Sequence, residues 1–195
     1  METAEKIRNE LPGAAVLDVE KVLISGEEIS ERVGVLARMI EDDYKDSEHK
    51  LLLLCILKGS VVFMAELMKK MRLPVEIDFM KVSSYGSGTV SSGKVEIVLD
   101  LKRNDIEDCD ILVVEDIIDS GRTLSYLIEY LKLRGAASVK TITLLDKPSR
   151  RVVDFEPDYC GFEIPDEFVV GYGLDFDEKY RALPFVGVLK PEIYE

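Results

Sequence analysis

The sequence predicts an α/β fold in which a mostly parallel central sheet is flanked by helices. Residues 51–57 and 110–114 are short apolar runs of strand length, as expected for strands buried on both faces. Residues 139–145 are rich in β-branched side chains, and segments with helical periodicity separate the three runs. Strands that alternate with helices of this length form right-handed βαβ units, which build a parallel sheet.

Local signals define the other elements and their ends. In chain order the sequence predicts a helix over about residues 26–45, a strand over 51–57, a helix over 61–71, strands over 75–82, 94–101 and 110–114, a helix over 123–134, and strands over 139–145, 168–174 and 185–189. Ser25 and Glu28 have the spacing of a capping box, and Ser60 is the expected cap of the second helix. Gly135 is suited to end the third. No linker stands out, so we expect one domain over residues 1–195.

Composition excludes several classes of protein. The net charge of −13 argues against binding to nucleic acid or to an anionic membrane, since both require a positive field. No apolar run approaches the roughly 20 residues that span a bilayer, and the N-terminus does not resemble a secretion signal. Three scattered cysteines are expected to be reduced thiols, with Cys55 in the core. We therefore expect a cytoplasmic protein.

The histidine content narrows the chemistry. His49 is the only histidine, and it lies in a polar stretch that is typical of a solvated loop. A serine or cysteine hydrolase that uses a histidine base is therefore disfavoured. General acid–base catalysis would depend on carboxylates or lysine.

The segment 111–124 runs from an apolar strand through an acidic loop into a helix. Ser120, Gly121, Arg122 and Thr123 place hydroxyl, guanidinium and amide donors at a helix N-terminus, where the helix dipole favours a phosphate. The adjacent Glu115-Asp116 pair is unsuited to a bare anion. It suits a ligand that carries hydroxyl groups or arrives with a hard cation such as magnesium. A sugar phosphate meets both conditions.

Residues 83–93 consist almost wholly of Gly, Ser and Thr around Tyr85. A long hairpin connection and a functional lid are both compatible with this composition.

The loop at 113–123 resembles the phosphoribosyl pyrophosphate signature of type I phosphoribosyltransferases. The resemblance to the hypoxanthine-guanine phosphoribosyltransferases covers nearly the whole chain, on residues 57–59, 84–85, 113–123, 145–147, 161–172, 174–175 and 180–181. It implies the type I phosphoribosyltransferase fold, with a small hood formed by the terminal segments. It also implies a Mg²⁺-dependent reaction of phosphoribosyl pyrophosphate with a 6-oxopurine base, in a homodimer or homotetramer.

The resemblance implies roles for the loop. Glu115 and Asp116 would hold the ribose hydroxyls, directly or through magnesium, and Asp119 would accept the proton from purine N7. The 5′-phosphate would lie in the cradle formed by Asp119, Ser120, Gly121, Arg122 and Thr123.

The same resemblance assigns the base site. Lys147 would donate to the exocyclic O6 and so reject the amino group of adenine. Phe168 would stack on the base, and the backbone of Val169 would read its edge. Asp175 would lie at the purine site and bind a second magnesium near the pyrophosphate, while Arg151 occupies the place of a further site arginine.

The pyrophosphate and lid residues follow from the same family. Arg181 would supply charge to the leaving pyrophosphate, and Lys58 and Gly59 would contact it through a loop with a non-proline cis peptide. Ser84 and Tyr85 would close over the site as a lid that excludes water.

An RNA-binding regulator with this fold would need a basic surface, which the net charge of −13 opposes. The choice among hypoxanthine, guanine and xanthine stays open.

Overall fold

The computed structural model describes residues 17–84 and 95–194 and confirms the predicted α/β architecture. Nine strands and four helices follow one another in the described chain: β1 (Val19–Ile24), α1 (Gly26–Tyr44), β2 (Lys50–Ile56), α2 (Val61–Lys70), β3 (Val75–Ser84), β4 (Val95–Leu99), β5 (Cys109–Ile118), α3 (Arg122–Leu133), β6 (Ser138–Asp146), β7 (Tyr159–Glu163), β8 (Val169–Val170), β9 (Val186–Leu189) and α4 (Pro191–Tyr194).

Six of the strands form the central sheet in the order β4-β3-β2-β5-β6-β7. All neighbouring pairs from β3 to β7 are parallel, and β4 joins β3 antiparallel at one edge. Helices pack on both faces, as the two sides of β2 show. Leu51 and Leu53 belong to a core cluster that contains side chains of α1 and α2, whereas Leu52 and Leu54 belong to a second cluster that contains side chains of α3. This burial on both faces explains the unbroken apolar run of β2.

The remaining strands form the hood, which is a separate antiparallel sheet in the order β1-β9-β8. Both ends of the described chain contribute to it, as the resemblance predicted. A third core cluster lies here, with Val170, Phe185 and Leu189 among its buried members. In the hood sheet, Val169 of β8 pairs with Val188 of β9, and this pairing holds the segment that carries the expected base-binding residues.

Most element boundaries agree with the sequence predictions. At the start of α1, Glu28 N–H donates to Ser25 Oγ (3.2 Å), and Ser25 N–H donates to Glu28 Oε2 (2.8 Å), which confirms the capping box. The predicted side-chain cap at Ser60 is wrong. Its hydroxyl donates to the Ile56 carbonyl, four residues back, and lies 3.3 Å from Cys55 Sγ. Local bonding of this kind competes with capping.

Five elements differ from the prediction. Strands β1 and β7 and helix α4 were not expected, and the strand predicted over 168–174 is only the two residues of β8. Strand β5 was predicted over 110–114 but continues to Ile118, so Glu115 and Asp116 lie in the strand and not in a loop. Gly171 and Gly173 adopt φ values of +95° and +102°, so the backbone turns immediately after β8.

No helix among the described residues is long and apolar enough to cross a membrane.

Candidate active site

Three chemically distinctive loops meet at the carboxyl edge of the central sheet. Residues 57–60 follow β2, residues 119–121 follow β5, and Lys147 follows β6. Because β2, β5 and β6 are parallel neighbours, their carboxyl ends lie side by side. The Lys147 N–H donates to the Ile118 carbonyl (2.9 Å), which joins two of the loops directly. The three loops therefore converge at one edge of the sheet.

The loop between β5 and α3 encloses a cavity of about 260 Å³. Its lining comprises Val95, Glu115, Ile117, Ile118, Asp119, Ser120, Gly121, Arg122, Thr123 and Leu124. Gly121 is the N-cap residue of α3 and has a φ of +79°, a conformation that favours glycine. A Cβ there would also crowd Arg151 Cδ and Val153 Cγ2, at 3.0 Å from each. All five residues expected to form the phosphate cradle therefore line one cavity.

Arg151 supports this loop from behind. Its Nη1 donates to the Asp119 carbonyl (2.6 Å) and its Nε to the Phe155 carbonyl (2.9 Å), while Nη2 pairs with the Asp146 carboxylate. The Arg151 side chain is only 13% exposed. It therefore contacts the backbone of the loop after β5, and the neighbouring Arg150 is the arginine that faces the Asp119 carboxylate.

The acidic pair at the end of β5 is held in an environment that disfavours two negative charges. Burial, and then the neighbouring Asp116, raise the pKa of Glu115 well above its usual range. Burial also raises the pKa of Asp116 to about 6, against the hydrogen bond from Ile117 N–H (2.9 Å). Glu115 Oε2 is buried and has no hydrogen-bond partner within the described part of the chain. This pair is suited to a ligand that brings hydroxyl donors or a cation.

Gly59 brings the acidic pair against two other segments. A Cβ on Gly59 would lie 1.5 Å from Asp116 Oδ2, and a Cβ on Gly173 would lie 2.0 Å from the Gly59 carbonyl. At Gly173 only glycine fits, because the clash is with backbone, whereas a side chain at residue 59 would displace the Asp116 carboxylate. The peptide bond between Leu57 and Lys58 is cis, as the resemblance predicted for this loop.

Asp119 and Lys147 lie together, as expected for a proton acceptor and an O6 donor that share one base. Lys147 Nζ is 3.9 Å from Asp119 Oδ1 and 3.8 Å from Asp166 Oδ1. The lysine side chain is 9% exposed, whereas that of Asp119 is 47% exposed. Arg150 lies 3.7 Å from Asp119 through Nε and 3.1 Å from Asp166 through Nη1. No site role was predicted for Arg150 or Asp166, because the local sequence around each residue does not indicate one.

The expected pyrophosphate residues gather around the turn after β8. Arg181 Nη2 lies 2.8 Å from Asp175 Oδ1 and 3.3 Å from Glu178 Oε2, and Lys58 Nζ donates to Glu178 Oε1 (2.8 Å). Glu178 was not predicted to belong to this cluster. It has a φ of +59°, an uncommon conformation for a residue other than glycine, and nothing in the sequence pattern signals it.

Phe168 and Val169 lie where the hood begins. The Phe168 carbonyl accepts from Leu189 N–H (2.8 Å), and Phe168 is 38% exposed, whereas Val169 is buried. Ser84 is the last residue of β3. Tyr85, and with it the predicted lid, lies outside the described residues.

Two expectations about residues away from the site are confirmed. His49 is exposed and directly precedes β2, at the edge of the sheet opposite the three loops. The cysteines are free thiols, and Cys55 is fully buried.

Comparison with known proteins agrees with this geometry. Residues 25–177 match the model of the phosphoribosyl transferase domain. The hypoxanthine-guanine phosphoribosyltransferase of Bacillus subtilis (strain 168) is 54% identical over 178 residues, which cover 91% of this chain and 97% of that protein. A hypoxanthine phosphoribosyltransferase structure from Staphylococcus aureus superposes with a TM-score of 0.89 at 45% identity, covering 95% of this chain and 99% of the other.

The chain is also 54% identical to the bifunctional protein TilS/HprT of Listeria monocytogenes serotype 4b (strain F2365), of which it spans 27%. The matched region, the sheet order and the three loops agree on one family. The chain therefore belongs to the phosphoribosyltransferase family, in its hypoxanthine-guanine branch.

Proposed function

We propose that this protein transfers the 5-phosphoribosyl group of phosphoribosyl pyrophosphate to hypoxanthine or guanine, and so forms the nucleoside monophosphate and pyrophosphate. The observation that carries the proposal is the position of Asp119. Asp119 lines the cavity at the N-terminus of α3, and its carboxylate lies 3.9 Å from Lys147 Nζ. Asp119 would thus contribute both to the phosphate cradle and to the base site.

The sugar phosphate would bind along the loop after β5. The amides and hydroxyls of Ser120 to Thr123 would hold the 5′-phosphate at the helix N-terminus. Glu115 and Asp116 would accept from the ribose hydroxyls, and the unpartnered Glu115 Oε2 supports this assignment. These contacts would fix C1′ of the sugar, so catalysis would depend largely on positioning.

The base would bind between the sheet edge and the hood. Lys147 would donate to O6, and the Asp119 carboxylate would accept the N7 proton as N9 bonds to C1′ and pyrophosphate leaves. Arg150 would keep the carboxylate in place. Phe168 would stack on the base beside the Val169 backbone. A 6-oxopurine satisfies the ammonium donor, whereas the amino group of adenine leaves it unpaired.

The residues present fit magnesium if the substrate supplies part of its coordination. No group of three or more His, Cys, Asp or Glu side chains that could hold a metal occurs in residues 17–84 and 95–194. Asp116 and Glu115 are nevertheless poorly compensated carboxylates, and Asp175 lies beside Arg181. These three would hold magnesium together with oxygens of phosphoribosyl pyrophosphate. The metal would neutralise charge on the departing pyrophosphate.

Pyrophosphate release tests the activity. The purified protein, with Mg²⁺ and phosphoribosyl pyrophosphate, should release pyrophosphate with hypoxanthine or guanine and not with adenine or uracil. Xanthine belongs in the same panel, because Lys147 does not exclude it. Absence of turnover with every 6-oxopurine would refute the proposal.

Asp119→Asn tests the mechanism. Loss of the proton acceptor should lower kcat by about 10²- to 10⁴-fold and leave the affinity for phosphoribosyl pyrophosphate within a few fold. Asp42→Asn is a suitable control, since that side chain is 79% exposed on α1. Near-normal kcat in Asp119→Asn would show that another group accepts the proton.

A further inference from the structure

The ring of Phe168, which would carry the base, is packed against two other aromatic rings. Tyr194 stacks on it with a centroid distance of 4.6 Å and an interplanar angle of 18°. Phe176 meets it at 5.5 Å and 89°. The residue as a whole is 38% exposed, so the two neighbouring rings do not bury it completely.

Tyr194 is held by the hood. It ends helix α4, and the preceding residues are tied to the small sheet through a hydrogen bond from Lys190 N–H to the Asp18 carbonyl (3.0 Å). Ile193 and Tyr194 pack against the third core cluster, which includes Val170. The tyrosine therefore reaches Phe168 from the side of the hood, whereas Lys147 belongs to the edge of the central sheet.

An unsupported Phe168 ring would be a poor platform for stacking. The χ2 torsion of phenylalanine has a broad energy well, so a partly exposed ring reorients easily. Tyr194 covers one face of the ring, and a stacked aromatic pair favours one relative orientation. A base that stacks on Phe168 must use surface that Tyr194 leaves free.

We propose that Tyr194 is a positioning residue for the purine base, because its ring fixes the orientation of the Phe168 ring on which the base stacks. The inference rests on the proposed function. It predicts that the C-terminal helix affects affinity for the base and has little effect on the sugar-phosphate site, since Tyr194 contacts Phe168 and does not line the cavity after β5.

Steady-state kinetics of three variants test the proposal. Tyr194→Ala should raise the KM for hypoxanthine and guanine by about twofold to tenfold, the range expected for loss of one stacked pair. The KM for phosphoribosyl pyrophosphate should stay within twofold of the unmodified protein. Tyr194→Phe keeps the ring and should restore the KM for the base. Tyr194→Leu keeps apolar volume without the stacked ring, so it should raise the KM for the base by a similar factor. It also provides the test if Tyr194→Ala folds poorly.

A matched control removes a stacked pair elsewhere. Tyr126 stacks on Tyr130 in α3 with a centroid distance of 6.3 Å and an angle of 11°, so Tyr126→Ala should leave the KM for the base unchanged. An unchanged KM for the base in both Tyr194→Ala and Tyr194→Leu would overturn the inference. A lowered KM would overturn it too, because Tyr194 would then compete with the base. Absence of turnover in the unmodified protein would refute the proposed function itself.

Discussion

Replacing Asp116 by asparagine should stabilise the ligand-free protein and weaken its binding of phosphoribosyl pyrophosphate. Asp116 lies at the end of β5, where burial raises its pKa to about 6. Its charge also adds to the rise in the pKa of Glu115. Asparagine keeps an acceptor for the Ile117 N–H and removes the buried charge. A residue placed for its ligand is thus a source of instability when that ligand is absent.

The magnitude follows from the pKa. A rise from the usual 3.8 to about 6 corresponds to about 3 kcal/mol of destabilisation by the charged form. Partial contact with solvent reduces this to about 1–3 kcal/mol. A carboxyl group with a raised folded-state pKa stabilises the fold below its unfolded pKa, and that stability is lost as the pH rises through the folded-state value. The variant should therefore match the unmodified protein near pH 4 and exceed it above pH 6.

Urea unfolding in EDTA at pH values from 4 to 8 measures this difference. Asp42→Asn is the control, and its exposed side chain should change the free energy of unfolding by less than about 0.5 kcal/mol at every pH. Calorimetric titration with magnesium and phosphoribosyl pyrophosphate measures the loss of binding. The reasoning fails if Asp116→Asn is less stable at pH 7.5, or if its stability difference does not change with pH.

Three further substitutions test the site. Gly59→Ala would place a Cβ 1.5 Å from Asp116 Oδ2, so the KM for phosphoribosyl pyrophosphate should rise at least tenfold in initial-rate assays. Gly121→Ala should destabilise the fold more than Gly135→Ala in thermal unfolding: both have positive φ, but a Cβ at Gly135 meets nothing within 4 Å. Lys147→Met should lower kcat/KM for hypoxanthine by about 10- to 150-fold, the usual worth of a hydrogen bond from a charged group. Equal stability of Gly121→Ala and Gly135→Ala, or an unchanged kcat/KM for Lys147→Met, would contradict these assignments.

The central sheet was predictable because its strands are buried on both faces. The run at 51–57 is continuously apolar and of strand length, which predicts a buried strand, and β2 occupies Lys50–Ile56. The loop after β5 was equally predictable, since Gly121 and its neighbours form a local anion-binding pattern at the N-terminus of one helix.

Strand β9 of the hood was predicted from its own sequence, but the assembly of the hood was predicted only through the resemblance. Strand β8 is two residues long, and β1 has a mixed burial pattern, so neither carries a strong periodic signal. Tertiary pairing with β9 determines both. The same limit applies to side-chain partners. Glu178 and Arg150 join the site through contacts with residues distant in sequence, which composition and spacing do not encode.

The pairing of β1 with β9 has a consequence for the order in which the protein is built on the ribosome. Strand β1 is among the first described segments to emerge, yet its strand partner is among the last. The loop after β5 is surrounded by the central sheet, α3 and Arg151, all of which precede β8 in the chain, and these can assemble while synthesis continues. The nascent chain should therefore acquire its sugar-phosphate half before its purine half. The proposed base site would be complete only when residues 186–194 join β1 and β8.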